Sequence, residues 1–227
     1  LIRGLKMIEP IVHENFSPTI LEFQVPDKFV DMVNLVGDAV LGDDKLSKQW
    51  DFSDNLVGKV SKEVKIPMAS KEDGAYLKSV LKGACLKYME QMHEKNRDYG
   101  WRKIHGNRTS TLDDIFLAQS WIVSQYKGEY NPWHTHGGDI SGVIYLKIPK
   151  GMNEAYDKEF QDHYPSTGLI EFMYGEKSDF RSDNLKFKPS VGKMLLFPSW
   201  LKHSVYPFYV DGERRSMSFN AHYKDIK

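Results

Sequence analysis

The sequence predicts a mainly β protein with helices in its N-terminal part. From Asp27 to about Gly100, apolar side chains recur every three or four positions, which is the spacing of a helix that buries one face. From about Phe116 onward, short β-branched and aromatic runs are separated by Gly, Pro, Asn and Asp, which is typical of strands. Many short strands with no helices between them indicate an antiparallel sandwich or barrel.

Composition narrows the class of protein. The chain has 227 residues, 41% of them hydrophobic, so it can bury a substantial core. Lys+Arg and Asp+Glu are both 31, so there is no basic excess of the kind that nucleic-acid binding needs. No apolar run approaches the roughly 18–20 residues that span a bilayer. We therefore expect a partner other than nucleic acid or membrane.

The number of cysteines and the first residues of the chain are informative about the cellular compartment of the protein. The only cysteine, Cys85, cannot form an internal disulfide, which suits a reducing, cytoplasmic location. Cys85 lies on a helical apolar stripe, so we expect a buried core thiol rather than a nucleophile. The start of the chain has no signal-peptide pattern. Its first residue is Leu, so the sequence can be trimmed or incomplete.

The N-terminal part is predicted to hold two helices. The first runs from Asp27 to Val40, and the second is long and amphipathic, capped near Ser70 and ending before Gly100. The polar stretch from Gly42 to Pro67 is predicted to be loop or irregular structure, and its charged residues a solvated face. We expect residues 1–115 to pack as a helical region on a β core of residues 116–227, in one compact unit. The apolar face of the second helix consists of Leu77, Val80, Leu81, Ala84, Cys85, Tyr88, Met89 and Met92.

The C-terminal part is predicted to hold seven strands. The segment from Lys150 to Thr167 between them is too long and polar for a tight turn, and loops of that length often act as lids. The predicted strands are Ser120–Tyr126, Ser141–Ile148, Leu169–Tyr174, Lys186–Phe187, Lys193–Phe197, His203–Tyr206 and Arg215–Tyr223.

Three histidines are the candidates for metal ligands. His134 and His136 are two residues apart, so on an extended chain both side chains lie on the same side. His203 follows on a later predicted strand, 203 − 136 = 67 residues away. A jelly roll, or double-stranded β-helix, brings such distant strands together at the mouth of a flattened barrel. Three imidazoles placed there can hold one transition metal and leave coordination positions free. The alternative is two ordinary histidines on an exposed strand face.

Three segments carry a family resemblance: His134–Leu146 (HTHGGDISGVIYL), Leu196–His203 (LFPSWLKH) and Arg214–Asn220 (RRSMSFN). They resemble a group of 2-oxoglutarate/iron oxygenases found in marine bacteria and cyanophages. The resemblance covers about residues 120–223 and adds little to the helical part.

The resemblance implies a role for each of several residues. His134, His136 and His203 are expected to hold Fe(II). Arg214 is expected to bind the far carboxylate of 2-oxoglutarate, since a guanidinium is a permanent, planar cation. Ser216 lies two residues from Arg214 on the same strand face and adds a hydrogen-bond donor, whereas Arg215 points the other way and is expected to be a surface charge. Further candidates are Tyr145 and, more weakly, Tyr126 for the cosubstrate carboxylate, and Trp133, Trp200 and Asn220 for the substrate pocket.

The third metal ligand is the point where the sequence departs from most such oxygenases, which have His-x-Asp at the first site. Either His136 completes a site of three neutral histidines, or Asp139 completes a two-histidine, one-carboxylate site. The resemblance favours His136, and three neutral ligands would leave the iron more positive and so strengthen its hold on an anionic chelator.

The function that follows is an Fe(II)- and 2-oxoglutarate-dependent dioxygenase. With O2 as cosubstrate, it would hydroxylate a small molecule or a side chain and release succinate and CO2. One alternative is a cupin-like metalloenzyme that ignores 2-oxoglutarate: Gly128 and Gly192 stand at cupin-like spacing, but the expected glutamate after the histidine pair is missing. Another is a non-catalytic jelly-roll binding module. The sequence does not indicate the substrate or the oligomeric state.

Overall fold

A computed structural model describes residues 11–13, 18–53, 58–66, 71–95, 110–152, 166–179 and 182–223. Three helices and eleven strands follow one another along these residues, with a short 3₁₀ helix at Leu112–Asp114. The helices are α1 (Asp27–Leu41), α2 (Asp44–Gln49) and α3 (Lys71–Lys95). The strands are β1 (Ile11–His13), β2 (Ile20–Gln24), β3 (Lys62–Lys65), β4 (Ile115–Gln125), β5 (Asn131–His134), β6 (Ile140–Lys147), β7 (Ile170–Met173), β8 (Asn184–Phe187), β9 (Lys193–Pro198), β10 (Lys202–Val205) and β11 (Arg214–Tyr223).

The strands form two facing antiparallel sheets. The larger sheet has the order β1-β2-β9-β6-β11-β4-β3, and the smaller has the order β5-β10-β7-β8. Apolar residues of both sheets meet between them, including Tyr145, Phe172 and Phe197. This arrangement confirms the predicted mainly β fold with a jelly-roll core.

A second core lies on the other face of the larger sheet, where the helices pack. Val33 of α1 and Leu81 of α3 share a buried cluster with Ile144 of β6 and Met217 of β11. Cys85 is fully buried in this cluster, as predicted, and burial raises the pKa of its thiol to about 12. Strand β11 therefore alternates strictly, with Met217 and Phe219 toward the helices and Ser216 and Asn220 toward the interior of the barrel.

The N-terminal part contributes strands as well as helices. The prediction of loop from residue 42 to residue 67 was wrong in part, because α2 and β3 lie there. Strand β3 is the last strand of the larger sheet and pairs with β4, with Glu63 opposite Val123. The division into residues 1–115 and 116–227 stays a prediction about folding units, although strands from both sides of it share one sheet.

Two further expectations concern loops and membranes. The predicted lid between Lys150 and Thr167 falls largely on residues 153–165, which lie outside the described part of the chain. No helix among the described residues is both long enough and apolar enough to cross a bilayer.

Candidate metal and cosubstrate site

The three predicted histidines come together at one end of the barrel. His203 of β10 lies directly opposite His134 of β5 in the smaller sheet, and His136 follows just after the end of β5. One ring nitrogen of each histidine lies within 4.8 Å of one ring nitrogen of the others, and Nε2 of His136 is 3.2 Å from Nε2 of His203. Residues 67 positions apart in sequence thus share one small volume.

Backbone carbonyls orient two of the rings. Nδ1 of His134 lies 2.7 Å from the carbonyl oxygen of Pro132, and Nδ1 of His203 lies 2.9 Å from that of Leu201. Because a carbonyl only accepts, each Nδ1 carries the hydrogen and each Nε2 keeps a free lone pair. Metal-binding histidines are usually held in this way by a hydrogen bond from the second nitrogen.

The burial of the three rings favours their neutral form. Loss of solvation lowers the pKa of His134, lowers that of His136 to about 4, and lowers that of His203 well below its ordinary value. Only a neutral imidazole has a lone pair to give to a metal. At neutral pH the three rings are therefore in the form that a metal requires.

The loop that carries His136 is tied to the turn before His203. The backbone N–H of His136 donates to the carbonyl of Ser199 at 2.9 Å, and the ring of His136 packs edge-on against Trp121 at 5.7 Å. The hydroxyl of Ser141 donates to Oδ1 of Asn220 at 2.8 Å and also lies 2.9 Å from the Ser199 hydroxyl. These contacts fix the position of the third ring relative to the other two.

The alternative ligand, Asp139, lies outside the group of three histidines. One of its carboxylate oxygens is 3.3 Å from Nδ1 of His222 and accepts a hydrogen bond from the backbone N–H of Tyr223 at 3.2 Å. Both partners follow Asn220 on β11.

A buried arginine with an unusual environment opens into the same cavity. Arg214 is fully buried, lies 5.1 Å from the ring centroid of Tyr145 and donates to Oε1 of Gln125. Neither a carboxylate nor any other anion of the described residues pairs with it. Four buried polar atoms in this region have no hydrogen-bond partner among the described residues: Nε of Arg214, the hydroxyl of Tyr145, Nε2 of Gln125 and Oδ1 of Asn131.

The Tyr145 hydroxyl is a donor at any physiological pH. Complete burial raises its pKa to about 12, although the adjacent Arg214 acts in the opposite direction. Burial likewise lowers the pKa of Arg214, which disfavours a guanidinium without a counter-ion. The Arg214 guanidinium and the neutral Tyr145 hydroxyl can therefore both donate to an acceptor on a bound ligand.

One cavity of about 240 Å³ is lined both by the three histidines and by Arg214. Its wall includes the three histidines, Arg214 and Ser216. Strand β4 supplies Gln119, Trp121, Val123 and Gln125 to the wall, because alternate residues of a strand face the same side.

These residues fit the two groups that the sequence implied. Three neutral nitrogen donors on one side leave the remaining positions of an iron ion for other ligands. The unpaired guanidinium of Arg214, with hydroxyl and amide donors around it, suits the far carboxylate of an anionic chelator.

Not every predicted site residue is in this group. Asn220 lines the cavity, whereas Tyr145, which contacts Arg214, does not. Tyr126, Trp133 and Trp200 do not line it either, and their exposed fractions are 45%, 41% and 55%. Trp200 packs against Tyr174 in a tilted arrangement, with ring centroids 5.7 Å apart, and both side chains are exposed. Several cavity residues were not predicted as site residues, among them the polar Gln125, Asn131 and Glu63. Gln125 could have been found, since it is a polar residue at an inward position of a predicted strand.

The sequence was compared with models of known protein families and matches one of them. The model of the family described as "Putative 2OG-Fe(II) oxygenase" matches residues 119–220, which run from β4 to β11 and include the three histidines and Arg214. No protein of curated function matches the sequence.

The chain was also compared with solved structures, and one of them shows a similar fold at a TM-score above 0.5. A Pseudomonas putida prolyl-4-hydroxylase aligns with a TM-score of 0.52 and 13% identity, over 88% of this chain and 91% of its own. The viral collagen prolyl hydroxylase of Paramecium Bursaria Chlorella virus-1 aligns with a TM-score of 0.48 and 13% identity, over 89% and 94% of the two chains. The chain is an oxygenase of the 2-oxoglutarate- and Fe(II)-dependent class, and its β-rich half carries the family match.

Proposed function

We propose that this oxygenase hydroxylates a C–H bond of a small molecule or a side chain, with His134, His136 and His203 as the iron ligands. Arg214 binds the far carboxylate of 2-oxoglutarate, and Tyr145 and Ser216 donate further hydrogen bonds. The reaction consumes O2 and 2-oxoglutarate and yields the alcohol, succinate and CO2, so that one oxygen atom enters each organic product.

The observation that carries this proposal is the unpaired, fully buried Arg214 in the cavity that also holds the histidines. Burying a cation without a counter-ion costs several kcal/mol, so such a residue is expected only where an anion binds. A cupin-like enzyme that ignores 2-oxoglutarate would have no use for it.

The chain's own groups have positioning roles. The carbonyls of Pro132 and Leu201 hold the Nδ1–H groups, so Nε2 of His134 and His203 faces the metal position. Gln125 accepts a hydrogen bond from Arg214 and lines the same cavity, where its free amide N–H can donate to the same carboxylate. Iron held by these histidines would supply the activation of O2.

Two narrower points belong to the proposal. The three motifs support a place in the marine bacterial and cyanophage group of oxygenases. The single, buried cysteine is compatible with a reducing compartment and supports a cytoplasmic location.

Anaerobic titration of the Fe(II)-loaded protein with 2-oxoglutarate tests the cosubstrate site. We expect a visible charge-transfer band that saturates with 2-oxoglutarate. Arg214→Ala should weaken this binding at least about 30-fold, because it removes a buried charge pair, and should leave iron binding unchanged. Lys202→Ala is the matched control, since it removes one exposed positive charge beside His203 and should change neither. An iron-loaded protein without a band, or an unchanged affinity in the Arg214 variant, would contradict the proposal.

A further inference from the structure

A second unpaired charge lines the cavity, and nothing in the cosubstrate site uses it. Glu63 of β3 is 5% exposed, and its carboxylate forms no hydrogen bond or ion pair with the residues that the structure describes. The one other carboxylate that influences it is Asp51. Lys65, on the same strand face, is exposed and its Nζ lies 5.3 Å from the centroid of the Phe52 ring, but it forms no ion pair with Glu63. A buried carboxylate without a partner is as costly as a buried arginine without one.

Glu63 lies away from the Arg214 end of the cavity. In the sheet, Glu63 is opposite Val123 and Arg214 is opposite Gln125, with β4 between β3 and β11. Two strand spacings and two residues separate them, which is roughly 10 Å across and 7 Å along the strands. The cavity therefore has a cationic end for the cosubstrate and, separate from it, a buried carboxyl group.

Aromatic rings connect Glu63 with the histidines. The backbone N–H of Phe52 donates to the carbonyl of Glu63 at 3.0 Å, and both residues line the cavity. Phe52 packs against Trp121 at 5.3 Å, and Trp121 in turn packs against His136 at 5.7 Å. Together with Val123 these rings form an apolar cluster on the cavity wall. An apolar strip thus leads from the carboxylate to the metal position.

The Glu63 carboxylate and the apolar strip together favour one chemical class of substrate. An alkyl chain fits the apolar strip, and a positive group at its end pairs with the carboxylate and lies near aromatic rings, which attract cations. Burial and the neighbouring Asp51 raise the pKa of Glu63 to about 7, so a cation is what restores its charged form. A neutral substrate would leave the cost of burying this group uncompensated.

We propose that the substrate carries an alkylammonium group, which binds the carboxylate of Glu63 while its alkyl chain lies along Phe52 and Trp121 toward the iron ligands. This inference rests on the proposed function, because it assigns the substrate side of the same cavity. It makes Glu63 a residue that determines specificity.

The test compares two small probes of equal length, n-butylammonium and 1-butanol. Their dissociation constants are measured by ligand-observed NMR on the protein loaded with Fe(II) and 2-oxoglutarate under anaerobic conditions. We expect the ammonium ion to bind at least about tenfold more tightly than the alcohol. Glu63→Gln should abolish this preference, whereas Glu176→Gln, the same change at an exposed position, should keep it. Nα-acetyllysine amide, as a third probe, distinguishes a protein side chain from a free amine as the source of the group.

The controls separate this inference from the proposed function. Glu63→Gln should keep the affinity for 2-oxoglutarate within about twofold, and Phe52→Leu should weaken butylammonium binding about two- to fivefold through the lost ring. If the protein binds no 2-oxoglutarate, the proposed function fails, but the same probe comparison on iron-free protein still tests Glu63. Equal binding of the two probes by the wild type, or an unchanged preference in the Glu63 variant, would overturn the inference. If the Glu63 variant does not fold, an unchanged butylammonium affinity in the Phe52 variant overturns it.

Discussion

The identity of the third iron ligand depends on a single side chain. His136 stands where most 2-oxoglutarate oxygenases have an aspartate, and the nearest carboxylate in sequence, Asp139, is bound to the end of β11. Turning Asp139 toward the histidines would break its hydrogen bond from the Tyr223 backbone. His136 needs no movement, because its Nε2 already lies 3.2 Å from that of His203.

Substitution of each candidate ligand distinguishes the two possibilities. His136→Ala should weaken Fe(II) binding at least about 100-fold, since it removes a direct ligand and even outer groups of metal sites contribute 10–100-fold. Asp139→Asn should leave the affinity within a few-fold, because the carboxylate serves β11. Both can be measured by anaerobic metal titration, with circular dichroism to confirm that each variant folds. The opposite ranking of the two affinities would make Asp139 the ligand.

At the scale of residues, the sequence predicts features that depend only on the alternation of side chains along an extended segment. The spacing of His134 and His136, and of Arg214 and Ser216, places each pair on one face of an extended chain wherever its strand pairs. Glu63 could not be found in this way, because its neighbours Lys62 and Lys65 are charged and the segment has the composition of a solvated loop. Its burial results from the pairing of β3 with β4, about 60 residues later in sequence.

Two elements that the sequence analysis missed are short strands at the ends of sheets. Strand β3 (KEVK) pairs with β4 on one side only, and β5 (NPWH) contains a proline, which is tolerated at a sheet edge because no partner needs its missing N–H. Such strands have no continuous apolar pattern of their own. Both nevertheless carry site residues, so the elements hardest to predict form part of the cavity.

Strand β11 also connects the site with helix α1. Arg215 was expected to be a surface charge, and that expectation was wrong, because α1 covers the outer face of the sheet. Its side chain is 4% exposed, donates to Asp38 of α1 at 2.8 Å and pairs with Glu213 at 2.6 Å. Arg215 precedes Ser216 and follows Arg214, so this contact fixes the strand that carries the cosubstrate residues.

Removing the Arg215 side chain should destabilise the protein more than removing the charge of its partner Asp38. Arg215→Ala should lower the free energy of unfolding by about 2–4 kcal/mol, because it leaves Glu213 without its buried partner. Asp38→Asn should cost less than about 1 kcal/mol, since Asp38 is largely exposed and keeps a polar side chain. Asp31→Asn, at an exposed position of the same helix, serves as the control. Urea denaturation measures all three, and a change below about 0.5 kcal/mol in Arg215→Ala would show that the contact does not hold the strand.

Over the whole molecule, charges balance in number but not in position. Lys+Arg and Asp+Glu are both 31, yet one cation and one carboxylate in the cavity, Arg214 and Glu63, are buried without ionic partners among the described residues. Each lowers the stability of the ligand-free protein, and each is suited to bind an opposite charge. Such a cost is common at binding sites, where stability and function compete.

The cost of Glu63 should be visible in the pH dependence of folding. Its pKa is raised from 4.5 to about 7 by burial and by Asp51, so between these values the folded state binds more protons than the unfolded state. Wild-type stability therefore loses a contribution of about 2–3 kcal/mol as the pH rises from 4.5 to 7. Glu63→Gln has no such group, so it should be nearly as stable as the wild type at pH 5 and more stable by about that amount at pH 8.

Comparing the two proteins removes the contribution of titrating groups that do not interact with Glu63, because these are common to both. Asp51 does interact with Glu63, but its pKa is lowered from 3.8, so it stays ionised at both pH 5 and pH 8. Urea denaturation of iron-free protein at pH 5 and pH 8 measures the difference. A stability difference that is the same at both pH values would mean that the Glu63 carboxylate is solvated or paired in the folded protein. A difference that grows with pH would identify Glu63 as a charge held in the cavity at the expense of stability, as a site for a cationic substrate requires.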